Sequence, residues 1–445
     1  MIVGGYMKKF IKNLLCVLLV MLILICIFNI AYSKLGYGSF SKAATIKDTV
    51  TFVKDDNVKY SNTSSYKIEN KNYNNSAFYK KIKVKKNTPY KITCVIKTED
   101  VEMLDKSIKN SGAKISILNS QEQTMALTGS NEWQKVSLLV NSKNKEELEI
   151  AFMLGSDSNS GNVKGTAWFS DFQLEEGQSN CNNTWNVVCF IFKNTDVTLN
   201  GKNYKYQMSE KDIKQINDCM QRFKTTCSEF SENKMNVTYK IIEIDEPIDS
   251  LTYDSENGYY IDPTDVSSKI NKYLDKDEYD HIFICARLSN EKSGIPINDW
   301  IGLGSMEYRG IGYSNIRMPK SSRSYDYEYK EKLNTFPQEV FVHEFLHTLE
   351  RNSNEYGYDC PVLHENEKYG YKEKRVESLY EWYKDYMSGN IDYNGKKIGL
   401  NQELYSLKPV HESDFKNSVK LSDFDEPIDF IGKSKVLINT IKSKI

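Results

Sequence analysis

Histidine is scarce in this chain, with five among 445 residues. Any site built from imidazoles must draw on most of them, so two that stand four positions apart carry information. Cysteine is sparse as well, at nine. Cys16 and Cys26 fall in an apolar run. The others, Cys94, Cys181, Cys189, Cys219, Cys227, Cys285 and Cys360, are odd in number and loosely spaced, and no CxxC occurs. That excludes a disulfide framework and a thiolate zinc site, and leaves Cys94 and Cys285, in apolar strand patterns, as buried thiols. An excess of either charge is also missing, with Lys plus Arg at 59, Asp plus Glu at 60 and a formal net charge of -1. There is no basic stripe for nucleic acid and no acidic bias of a disordered tail. A mean hydropathy of -0.56 excludes a polytopic membrane protein. What is present is 40% hydrophobic and 12% aromatic residues. That is enough for a large core, and at roughly 150 residues per domain the length suggests two or three domains.

The first segment sets the compartment. Lys8, Lys9 and Lys12 precede an apolar run from Leu14 to about Ala31, a charged region followed by a hydrophobic one. Ala31-Tyr32-Ser33 offers cleavage after Ser33, and Ala43-Ala44 a later alternative. Residues 1–33 are expected to be a signal peptide or a membrane anchor, the run being long for the first and short for the second. Either way the positive end stays in the cytoplasm and the remainder lies outside. The expectation is a secreted or cell-surface protein that touches the membrane only through this segment.

Residues 45–178 read as all-β. Ile92, Cys94 and Ile96 alternate along one strand, and Ile115-Ile117, Trp133–Val140 and Leu148–Leu154 continue the pattern between turn-rich pieces. Gly165-Thr166-Ala167-Trp168-Phe169-Ser170-Asp171-Phe172-Gln173-Leu174-Glu175-Glu176-Gly177 resembles the last strand of jelly-roll carbohydrate-binding modules of the family 4/9 type, and Val84–Tyr90 with Lys97-Thr98-Glu99 fits the same group. The resemblance implies a jelly-roll sandwich with surface glycans as partners and room for Ca2+, for which no ligands can be assigned. Trp133 and Trp168 are candidates for stacking on sugar rings or for the sandwich core.

A polar linker, Gln178 to Asn183, precedes a region of alternating element types, 183–400, with a C-terminal extension over 401–445. Trp185–Phe192 and His281–Leu288 are apolar runs expected to be buried strands. Ser209-Glu210-Lys211-Asp212 is a capping box, with Met208 and Ile213 as a staple. Val237, Tyr239 and Ile241 alternate as a strand, Val266–Leu274 reads as a short helix, and Trp300–Gly304 and Ile311–Met318 are further strands. Such alternation means an α/β sheet.

His343-Glu344-Phe345-Leu346-His347 is HExxH. On a helix the two His lie one above the other and can share one zinc ion, with Phe341, Val342, Phe345, Leu346 and Leu349 anchoring the other faces. Pro337 suits the first turn and Thr335 the cap. Glu344, rotated by about 100° from the first His, is placed as the general base. Zinc lowers the pKa of bound water and polarises the scissile carbonyl, and the carboxylate moves the proton.

Over residues 183 to 390 the order of elements resembles that of zincin metallopeptidases. The metzincin pattern HExxHxxGxxH fails here, because Glu350 replaces the Gly and Ser353 stands where the third His would be. His364 lies further on, reachable through a turn at Gly357, and Tyr386-Met387-Ser388-Gly389 resembles a Met-turn. The gluzincin branch would instead use Glu377 or Glu381, on a helix from about Lys374 to Met387. Glu350 and Asp359 complete the alternatives for the third ligand. Tyr369, Tyr371, Tyr383 and Tyr386 are candidate oxyanion donors. His281 reads as structural and His411 as a surface residue. Gly310–Ile316 is a candidate edge strand for an extended peptide.

The fold class expected is therefore multidomain, an N-terminal all-β jelly-roll sandwich followed by an α/β zincin-like catalytic domain. The expected function is an exported zinc endopeptidase acting on a protein or glycoprotein substrate. The alternative is a surface glycan-binding or adhesion protein with a structural or inactive zincin domain.

Overall fold

The computed structural model describes residues 40–423, apart from 107, 157–160, 180–181, 299, 319–335 and 373–375. The expected signal or anchor segment, Cys181, and Thr335 as a cap lie outside the described residues. No helix among the described residues is long and apolar enough to cross a membrane.

The N-terminal part is a two-sheet antiparallel sandwich, as expected. Its strands are β1 (Ser41–Ala44), β2 (Val50–Tyr60), β3 (Thr63–Asn74), β4 (Ser76–Lys83), β5 (Pro89–Met103), β6 (Gly112–Ile117), β7 (Gly129–Asn141), β8 (Glu147–Gly155) and β9 (Val163–Glu176). One sheet runs β1-β4-β8-β6 and the other β2-β3-β9-β5-β7. Alternation explains the packing: Ile92, Cys94, Ile96, Ala167 and Phe169 all fall in the core between the sheets, so Trp168 between the last two points out of it. Trp168 is nonetheless covered, its indole N–H donating to Asp55 at 3.0 Å with Lys67 above the ring. Trp133 is half-buried, against Tyr60 at 5.7 Å between centroids.

The second part opens with β10 (Thr184–Phe192), the hairpin β11 (Asn194–Leu199) and β12 (Lys202–Gln207), α1 (Glu210–Phe230) and β13 (Asn236–Ile244). A small hairpin follows, β14 (Thr252–Asp254) and β15 (Gly258–Tyr260), then α2 (Pro263–Leu274), β16 (His281–Arg287), β17 (Gly302–Tyr308) and β18 (Ile311–Met318). The Ser209–Asp212 capping box opens α1 as read from the sequence. The sheet order is β13-β10-β16-β18-β17. The first four strands are parallel, while β17 pairs antiparallel with β18. Parallel strands bury both faces, which is why Val187–Phe192 and Ile282–Ala286 are apolar without a break. Alternate residues of β10 feed two cores. Val187, Cys189 and Ile191 face α1 and the later helices, and Val188, Phe190 and Phe192 face the hairpins and α2. One expectation is corrected here. Gly310–Ile316 is interior, because β18 is flanked by β16 and β17, and the sheet edge is β17.

The chain continues through α3 (Glu339–Tyr356), α4 (Val376–Ser388), the hairpin β19 (Ile391–Tyr393) and β20 (Lys396–Ile398), and β21 (Val419–Asp423). The segment after residue 400 does not trail away. Leu404, Tyr405 and Leu407 join the core beneath α3, and Trp185 donates to the Tyr405 carbonyl at 3.0 Å. His411, expected on the surface, instead lies 2.8 Å from the buried Asp280 carboxylate with a side chain only 14% exposed. A polar sequence neighbourhood concealed that partner, 131 residues away. Finally β21 pairs antiparallel with β9 of the sandwich.

Candidate metal centre

α3 starts at Glu339 with Gln338 at its N-cap, so Pro337 lies in the turn just before the helix rather than in its first turn. Phe341, Val342, Phe345, Leu346 and Leu349 are each 2% exposed or less and hold the helix on the sheet. The approach is close. A Cβ on Gly312 of β18 would sit 2.6 Å from Thr348 Oγ1 and 2.7 Å from His281 Nδ1, so only glycine fits. His281 is structural, as expected. Its Nδ1 is 3.2 Å from the Thr348 hydroxyl and its Nε2 3.3 Å from that of Ser314. Ser314 in turn donates to the Glu344 carbonyl. Burial pushes the His281 pKa down to about 3, so this clamp is neutral.

The helix presents His343 and His347 on its open face, with ring centroids 4.8 Å apart. It ends at Gly357, whose φ of 81° is the left-handed cap, and the chain turns back. That turn brings His364 to the pair, at centroid separations of 4.9 Å from His343 and 5.0 Å from His347. One nitrogen from each of the three rings lies within 4.8 Å of the others. The Nε2 atoms of His347 and His364 are 3.0 Å apart. Among the described residues this is the only group of three or more His, Cys, Asp or Glu so arranged. His343 Nδ1 meets the Tyr383 hydroxyl at 3.0 Å and His347 Nδ1 meets Glu350 at 3.2 Å. Those contacts turn the Nε2 atoms of both rings toward the shared point, the usual arrangement behind metal-bound imidazoles.

The other candidates fall elsewhere. Glu350 is beside His347, not in the ligand cluster. Asp359 is exposed. Glu381 is exposed on α4 and 3.6 Å from Lys384, a solvated helix face. The Glu377 side chain lies outside the described residues. Of the tyrosines, Tyr383 reaches the site as the partner of His343. Tyr371 bonds Asp385, Tyr369 stacks on Trp382, and Tyr386 with Met387 is buried in the last turn of α4 rather than in a separate loop.

Glu344 is 4% exposed. Burial raises its pKa to about 8 against the opposing effect of the Gly304 N–H that donates to it. Gly302 and Gly304 on β17 press directly on the carboxylate; a Cβ at Gly304 would lie 2.8 Å from Oε2. This glycine pair was not singled out from the sequence. Its signal is two glycines on one face of a short strand, which marks a close approach.

No family model matches the chain, and no curated protein matches it either. Solved structures do show likeness. A family 4 carbohydrate-binding module is 16% identical, with 26% of this chain and 77% of that one covered and a TM-score of 0.18. A family 61 module in complex with β-1,4-galactotriose is 13% identical, with 30% and 86% covered and a TM-score of 0.21. The xylan-binding family 22 module of Paenibacillus barcinonensis Xyn10C is 13% identical, with 30% and 84% covered and a TM-score of 0.19. No functional residue is carried over from them.

Proposed function

We propose that the chain is a zinc-dependent endopeptidase whose N-terminal sandwich engages glycans on its substrate or on the surface where it acts. The observation that supports the catalytic half is the meeting of His343, His347 and His364, with Glu344 next to His343 on the same helix. Three neutral imidazoles suit zinc, whose catalytic sites take three protein ligands and keep one position open; magnesium and calcium prefer oxygen donors. When bound there, zinc supplies Lewis acidity toward a peptide carbonyl and toward water. Glu344 takes a proton from the attacking water and returns it to the leaving amine. The Gly304 N–H fixes the carboxylate for that task. Beside it, β17 is a sheet edge, the kind of element to which an extended peptide can add.

A second reading makes the chain a surface glycan-binding protein with a catalytically silent second part. The similar solved structures favour it, being carbohydrate-binding modules and not peptidases. The peptidase reading rests on the site alone. Incubating the full chain with casein, beside Glu344→Gln and a chelator-treated sample, separates the two. Cleavage by the wild type only, lost on chelation, supports the peptidase. Glycan binding with no turnover of any protein or glycoprotein substrate supports the second reading.

A further inference from the structure

Glu350 stands one turn beyond His347 on α3, and its two carboxylate oxygens serve different strands of the site. Oε2 accepts from His347 Nδ1 at 3.2 Å. Oε1 accepts from the backbone N–H of Leu363 at 2.8 Å. Leu363 is the residue immediately before His364. Its carbonyl is held from the other side by the indole N–H of Trp382, at 3.0 Å, and its side chain is buried in the core at 2% exposure. The peptide that carries His364 is thus pinned between a carboxylate on the helix of the first two imidazoles and an indole on α4.

We propose that Glu350 is a positioning residue that locates the third imidazole. It joins the second ring to the backbone of the third through one rigid carboxylate. The inference rests on the metal reading of the triad. It also accounts for a glutamate at position 350, where the metzincin pattern carries glycine. The helix here runs on to Tyr356, and the returning segment is tied back to it by a side chain instead of by an immediate turn. The same carboxylate fixes the tautomer of His347, because an ionised carboxylate can only accept, so Nδ1 carries the hydrogen and Nε2 the lone pair.

The chemistry makes the isosteric amide the informative variant. Gln in place of Glu350 has one accepting end and one donating end. It can serve the His347 Nδ1–H or the Leu363 N–H, not both. Zinc affinity, measured by competition with a chromogenic chelator on the full chain, should weaken about 10–100-fold in Glu350→Gln. The metal-free variant should unfold within about 2 °C of the metal-free wild type, since Gln keeps the volume and one of the two bonds. Trp382→Phe, which removes the second tether of Leu363 along with part of a buried ring packed on Tyr369 and Tyr371, should also weaken zinc binding. A Glu350→Gln protein whose zinc affinity is within threefold of wild type overturns the proposal while leaving the metal site standing. A loss of affinity matched by an equal collapse of metal-free stability assigns Glu350 a purely structural part and also overturns it. A wild type that takes up no zinc at all removes the metal reading itself.

Discussion

Lys143, in the loop after β7 of the sandwich, meets Glu355, in the last turn of α3, at 2.5 Å. The same ammonium lies 2.6 Å from Glu122 of the sandwich, and Glu307 of β17 faces the group with Arg351 at 3.5 Å. The side chains of Lys143 and Glu122 are 12% and 8% exposed. The helix of the HExxH motif is therefore tied to the N-terminal sandwich by a largely buried ion cluster.

Replacing Lys143 by Met leaves Glu122 without its buried cation. The expected loss is about 3 kcal/mol, the low end for a broken buried pair because Glu355 is partly exposed. Urea unfolding at pH 7 measures it, and a loss below about 1 kcal/mol would show that the cluster does not hold the two parts together. The pH dependence has a definite sign. Burial raises the Glu122 carboxyl, but Lys143 outweighs it, so the folded pKa lies below the ordinary 4.5. A depressed carboxyl contributes stability above its unfolded pKa and loses it as pH falls through the folded one. Wild type should thus lose stability below pH 4.5 more steeply than Lys143→Met.

Gly302→Ala is expected to abolish proteolysis without expelling the metal. The added methyl meets the Glu344 carboxylate, and the base must swing away, while the three imidazoles lie on other elements. A fall in kcat of about 100-fold or more is expected, the contribution of a placed general base, with zinc content unchanged by elemental analysis. Retained activity would remove Glu344 from its assigned part.

His364→Ala should lose bound zinc, while Glu381→Ala keeps it, since only the former residue joins the cluster. The reverse result would move the third ligand to α4.

Metal binding should release a proton from Glu344. Its metal-free pKa near 8 keeps it protonated at pH 7, and a divalent charge next to it favours the carboxylate. The metal-free protein accordingly holds stability from this group below pH 4.5 and loses it as pH rises through 8. Calorimetric zinc titrations at pH 7 in buffers of different ionisation heats should show about one proton more released by wild type than by Glu344→Gln. Equal release by the two proteins would contradict the buried, protonated state.

Much of this was legible in the residues. The alternation at Ile92, Cys94 and Ile96 and the unbroken run Val187–Phe192 follow from which faces of a strand are buried, and HExxH carries its own spacing. His364 could be named because histidines are few, but its selection over Glu381 depended on where Gly357 sent the chain. Partnerships across large sequence distance were not legible. Nothing near His411 announces Asp280. Nor could the sequence alone tell that β17, rather than β18, is a sheet edge, since both are short and order in a sheet is a property of the whole fold. Glu350 shows a third kind of limit, in which a carboxylate one turn from a ligand can bind the metal or brace the ligand, and the two differ by a single rotamer.

The pairing of β21 with β9 has a consequence for biogenesis. The sandwich borrows a strand from far downstream in the sequence; 243 positions separate Glu175 from its partner Ser418. During synthesis at roughly 5–20 residues per second, β9 waits about 10–50 s for that neighbour. The sandwich emerges before the strand that seals it, and the seal forms only on chains translated through to residue 419 and beyond.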